Sequence, residues 1–172
     1  MTIALLLVAL AGTLPGWLLS DKTLVHLVGA VLGSLVLIGL GVWMLYDPTY
    51  VASGHALRGT LIVLVGVLAI FGGGPVTAAA LHRADGGGPV EQAGEILRGG
   101  AWIGAMERAA IFTTVVVGWP EGLAVVLAVK GLARYPELKA PGEGAAERFI
   151  IGSFASVLWS LACAGLLIAL LR

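Results

Sequence analysis

Trp102-Ile103-Gly104-Ala105-Met106-Glu107-Arg108 sets two ionisable residues side by side in a stretch that is otherwise apolar or small. Between Gly100 and Arg172 the background stays almost continuously apolar. Lys130, Arg134, Glu147 and Arg148 sit inside or at the ends of its hydrophobic segments. A charge near the middle of a hydrocarbon layer costs at least about 2.5 kcal/mol, so each of these residues needs a partner or a purpose. Whether they lie in such a layer is decided by the composition around them.

The 172 residues are 59% hydrophobic and 12% charged, against roughly 45–50% and about 25% in soluble domains. So little polar surface cannot cover a water-soluble globule, and much of the outside is expected to face lipid. The length holds about six spans of roughly 20 residues with short connections. Residues 1–172 are therefore read as a single all-α transmembrane domain. Ten basic and ten acidic residues give zero formal charge, and no basic run points to nucleic acid. The lone Cys163 cannot form an internal disulfide and is read as a small packing residue; no His or carboxylate spacing makes a metal site. Neither a nucleotide-binding glycine pattern nor Gly-x-Ser-x-Gly occurs, so no cofactor is expected.

Taken in order, the first span covers about Thr2 to Leu19, kinked by Gly12, Pro15 and Gly16. With no basic start or small-residue cleavage site it reads as a retained span. The second runs from about Thr23 to Tyr46, and its Gly29 and Gly33 would let another helix approach closely. The third begins near Gly59 and meets Gly72-Gly73-Gly74-Pro75, where a broken helix is expected, with Pro75 opening a half-helix to Arg83. An amphipathic stretch, Glu91 to Arg98, precedes the fourth span, about Ala101 to Gly118. Trp119-Pro120 forms a tight turn, and Glu121 suits a helix start. The fifth segment, to about Ala133, is short: it either crosses, giving six spans, or is re-entrant, giving five. The last span is about Phe149 to Leu171, with Gly152, Ser156, Ser160 and Ala164 as a small-residue stripe for packing.

Six crossings put Lys22, Arg83, Arg98, Arg134, Lys139 and Arg148 on one side, and Arg58 and Arg172 on the other. The positive-inside rule makes the first side cytoplasmic and leaves both termini on the outer side of the cell (inner) membrane. Glu107 and Arg108 then lie roughly 10–14 Å into the fourth helix. Lys130, Arg134, Glu147 and Arg148 come to the same side, as do His26 and His82, the candidates for a proton relay.

Two arrangements of these charges are open. One is a cavity and the other a set of internal pairs. In the first, Arg108, Lys130 and Arg134 hold a small anion or an anionic lipid headgroup, helped by backbone N–H groups of the Pro75 half-helix, with Glu107 as the proton-sensitive gate. In the second, Glu107 and Lys130 neutralise one another between helices while Arg134 and Arg148 reach to the interface. A lipid-modifying enzyme with Glu107 or His82 as general base is the alternative activity. The glycine- and serine-rich faces of the second and sixth helices fit a structural subunit, through a second copy or another membrane protein.

Trp102-Ile103-Gly104, Glu107-Arg108, Ile111-Phe112, Ala128-Val129-Lys130, Arg134, Glu137-Leu138, Glu147, Phe149-Ile150-Ile151-Gly152 and Ser156 resemble the C-terminal part of an uncharacterised family of bacterial integral-membrane proteins. The resemblance covers about residues 99–160. That family's early His and Asp-Phe-x-x-Gln pattern is missing from the N-terminal half. The likeness implies membrane residence and weight on the Glu-Arg pair, and no particular reaction.

Overall fold

An apolar segment away from water satisfies its own N–H and C=O groups most simply as a helix. The computed structural model describes residues 3, 5–11, 23–46, 54–84, 100–139 and 145–172. Every regular element among them is helical. These are α1 (residues 5–11), α2 (Thr23–Tyr46), α3 (His55–Ala84), α4 (Gly100–Val116), α5 (Pro120–Lys139) and α6 (Ala145–Leu171). Within α3 and α6, His55–Arg83 and Arg148–Leu171 are long and apolar enough to cross a membrane, and α2 adds a shorter apolar stretch, Val28–Leu40.

The helices α3 and α6 form the axis of the bundle and pack on each other more extensively than any other described pair. They run antiparallel: Arg58 Nη2 donates to the Leu171 carbonyl at 3.0 Å at one end, while Gly152 lies against Leu81 and Thr77 near the other. α2 and α4 flank this axis, and α5 packs chiefly on α4. Leu6, Leu40, Leu61, Leu68, Leu167 and Leu170 are fully buried and fill the end that holds Arg58. Towards the other end the packing loosens, and residues 76–81 of α3 are only partly buried. The expected small-residue stripe on α6 faces inward, with Ser156, Ser160 and Ala164 all buried, and Cys163 lies in the core beside it.

The expected break of the third helix at Gly72-Gly73-Gly74-Pro75 does not occur: α3 runs through it without interruption. Pro75 has no N–H for the preceding turn, and neighbouring helices bring side-chain donors to carbonyls of that region. Trp159 Nε1 donates to Leu68 O at 3.1 Å, and Arg108 Nε to Ile70 O at 2.6 Å. Thr77 Oγ1 adds a bond to Gly73 O at 2.8 Å. These bonds brace the turns on either side of the Phe71 carbonyl, which Pro75 leaves without its helical donor. The glycines leave room for the side chains that make them.

Other boundaries move outward. α3 begins at His55 instead of Gly59, α5 continues to Lys139 instead of Ala133, and α6 begins at Ala145 instead of Phe149. The Trp119-Pro120 turn forms as expected. Gly118, with φ of 74°, ends α4 in the left-handed region. Trp119 N–H donates to Thr114 O at 2.8 Å and Gly118 N–H to Val115 O at 3.1 Å, the pair of bonds that defines a Schellman cap. Pro120 then opens α5 with its φ already helical. The expected kink at Gly12, Pro15 and Gly16 and the Glu91–Arg98 stretch lie outside the described residues.

Candidate functional site

Successive residues of an α-helix point about 100° apart, and this separates the two members of the Glu107-Arg108 pair. Glu107 turns toward α5, where its carboxylate accepts a hydrogen bond from Lys130 Nζ in an ion pair. Both side chains are largely sheltered, at 15% exposure for Lys130 and 18% for Glu107. The Lys130 ammonium also lies 5.9 Å from the centre of the Phe149 ring, close enough for cation–π attraction. One lysine thereby ties α5 to both α4 and α6.

Arg108 turns the other way, into the bundle axis, and is 3% exposed. Its stem lies against Gly73, where a methyl group would strike Arg108 Cδ and come within 2.9 Å of Trp159 Cδ1. At Gly72 a methyl group would sit 2.8 Å from Trp159 Cζ2. Gly72 and Gly73 thus form a notch in α3 that receives an arginine from α4 and a tryptophan from α6. The guanidinium folds back along its own helix, with Nη1 3.2 Å from where a Cβ on Gly104 would be. That direction is the usual one for a long side chain in a helix, over the turn that precedes it.

Among the described residues, the bond from Nε to Ile70 is the one hydrogen bond Arg108 makes, and no carboxylate lies within ion-pair distance. Its chain neighbour Glu107 is committed to Lys130. Glu107, Lys130 and Arg108 together therefore carry one positive unit, on a guanidinium with donors to spare.

The remaining sequence candidates fall outside this pair of contacts. Arg134 is partly buried on α5, and Arg148 is partly buried in the first turn of α6; each makes interactions of its own. Glu147 shares that first turn, but its side chain lies outside the described set, as does that of His26 in α2. His82 is exposed at the end of α3. Since α3 is unbroken at Gly72, Gly73, Gly74 and Pro75, no half-helix N-terminus aims backbone N–H groups at the charges, which corrects that part of the expectation.

Trp159 and Gly104 were not among the sequence candidates. Gly104 carries a legible signal, being one turn before Arg108 on the side where the guanidinium must lie. Trp159 carries none, because only the tertiary fold shows which backbone its indole meets. Among the described residues no group of three His, Cys, Asp or Glu side chains is placed to hold a metal ion. No family model matches the chain, and neither a curated protein nor a solved structure does.

Proposed function

We propose that the chain is a polytopic membrane protein that binds a small anion or an anionic lipid headgroup beside Arg108, toward the bundle end that carries Arg83, Arg134 and Arg148. The observation that carries this is the state of Arg108, 3% exposed with one hydrogen bond and no acidic partner among the described residues. An uncompensated buried charge costs several kcal/mol. A ligand of opposite charge is the simplest compensation. Glu107 acts as the gate: its carboxylate pairs with Lys130, and breaking that pair would free the ammonium for the ligand.

Six crossings are supported by the alternation of the helices. α5 starts at the Arg58 end, after the Trp119 turn, and its 20 residues cover about 30 Å. Lys130 near Phe149 then brings it to the start of α6 at the opposite end. The charge-rich end is cytoplasmic by the positive-inside rule, which leaves both termini outside.

The test uses the full chain in lipid nanodiscs and Arg108→Met, which keeps an apolar stem for the glycine notch and removes the charge. The parent protein is expected to bind chloride or phosphatidylglycerol by calorimetry or native mass spectrometry. The variant should keep its helical circular dichroism and lose that binding. A variant that folds and binds as the parent does ends the proposal.

A further inference from the structure

Hydroxyl groups in an apolar helix usually bond to a carbonyl of the preceding turn, and four here do. Thr60 bonds to Ala56 O at 2.9 Å, Thr77 to Gly73 O at 2.8 Å, Thr114 to Ile111 O at 2.8 Å and Ser160 to Ser156 O at 3.0 Å. Two do not. The Oγ atoms of Ser153 and Ser156 on α6 are buried with no hydrogen-bond partner. Alanine would fill the same space without the cost of a buried, unpaired hydroxyl, so packing alone does not account for them.

These hydroxyls lie at the level of Arg108. On α6, Ser156 stands between Gly152, which rests on Thr77 and Leu81, and Trp159, which rests on Gly72 and Gly73. It is therefore held beside the Gly73–Thr77 turn of α3, and it is 3% exposed. Ser153 is one turn further along the same strip of α6. Arg108 meets Gly73 with its stem and carries its Nη groups toward Gly104, in the direction of that same end of the bundle.

We infer that Arg108, Ser153 and Ser156 form a donor site for one monovalent anion, held by the guanidinium Nη–H groups and the two hydroxyls. This rests on the anion-binding role proposed above and adds its ligand class. The charge count selects the class. Glu107 and Lys130 cancel, so a single negative charge beside Arg108 brings these three side chains to neutrality. A dianion would leave an uncompensated charge in a low-dielectric interior. A free monovalent anion and the phosphodiester of an anionic lipid share this chemistry.

The experiment reads the melting temperature of the full chain in phosphatidylcholine nanodiscs, titrated with sodium chloride, sodium nitrate or sodium sulfate at matched ionic strength. A parallel set contains phosphatidylglycerol. Binding to the folded state raises the melting temperature in a saturable way. Chloride or nitrate is expected to do so and sulfate is not. If phosphatidylglycerol raises it and removes any response to chloride, the ligand is the lipid phosphodiester and the class still holds. The Ser153→Ala/Ser156→Ala double variant should fold and bind about tenfold or more weakly, as expected for losing hydrogen bonds to a charged group.

Stabilisation by sulfate equal to that by chloride overturns the monovalent class. A double-alanine variant that titrates like the parent removes the serines from the site. If Arg108→Met has then lost the response, the anion role of Arg108 survives alone. If it has kept the response, or if no anion or lipid acts on the parent, both proposals fall.

Discussion

At Gly73 the absence of one methyl group decides whether three helices can share a contact. A Cβ there would strike Arg108 Cδ and lie 2.9 Å from Trp159 Cδ1, and neither stem is the free end of a mobile side chain. Gly73→Ala is therefore expected to destabilise the bundle by about 1–3 kcal/mol, the usual cost of overpacking a tight site. Gly39 has nothing within 4 Å of its would-be Cβ. Gly39→Ala should be neutral or gain up to about 1 kcal/mol from helix propensity. Unfolding in mild detergent, followed by circular dichroism, compares the two; equal stabilities would mean that the notch relaxes freely. These glycines are legible in the sequence, but their use is not. Three glycines and a proline break an isolated helix. Here the deciding groups, Arg108 and Trp159, lie far along the chain, and no local rule reveals that they supply donors to Ile70 and Leu68.

Between elements, the pair that fastens α4 to α5 was legible and the orientation of its neighbour was not. A glutamate and a lysine in apolar segments that meet through a short turn are expected to find each other, and Glu107 and Lys130 do. The turn was readable for a similar reason, since Gly118, Pro120 and Glu121 each suit one fixed position of a helix end. That Arg108 would face the opposite way follows from its being one residue from Glu107. It became informative only once α3 was known to lie on that side. Removing one partner of a buried ion pair costs about 3–5 kcal/mol, because the other charge is left behind. Glu107→Gln and Lys130→Met are each expected to destabilise the protein by about that amount. The double variant should recover much of the loss, and a thermodynamic cycle of thermal unfolding measures the difference. Additive losses would mean that the two charges do not depend on each other.

For the whole molecule, the distribution of charge and of packing point the same way. The end with Arg58 is filled by fully buried leucines, and the end with Arg83, Arg134 and Arg148 is more loosely packed and holds more of the described arginines. Composition made the all-helical class legible, because so apolar a chain leaves few other ways to satisfy its backbone. It does not determine which segments could cross a membrane, since α4 and α5 carry charges that lower their apolar character, and among the described residues only pieces of α3 and α6 meet the length and hydropathy of a span outright. Sidedness can be read with single cysteines, because the native Cys163 is fully buried and can be replaced by alanine as a control. Glu121→Cys marks the start of α5, Arg83→Cys the end of α3 and Tyr135→Cys the far part of α5; all three native side chains are exposed. With six crossings and a cytoplasmic basic end, a membrane-impermeant maleimide added to intact cells should label only Glu121→Cys. Arg83→Cys and Tyr135→Cys should react after permeabilisation. Labelling of Tyr135→Cys together with Glu121→Cys would make α5 re-entrant. The inverse pattern, with Arg83→Cys and Tyr135→Cys labelled from outside and Glu121→Cys protected, would keep the six crossings and place the Arg108 site toward the external leaflet.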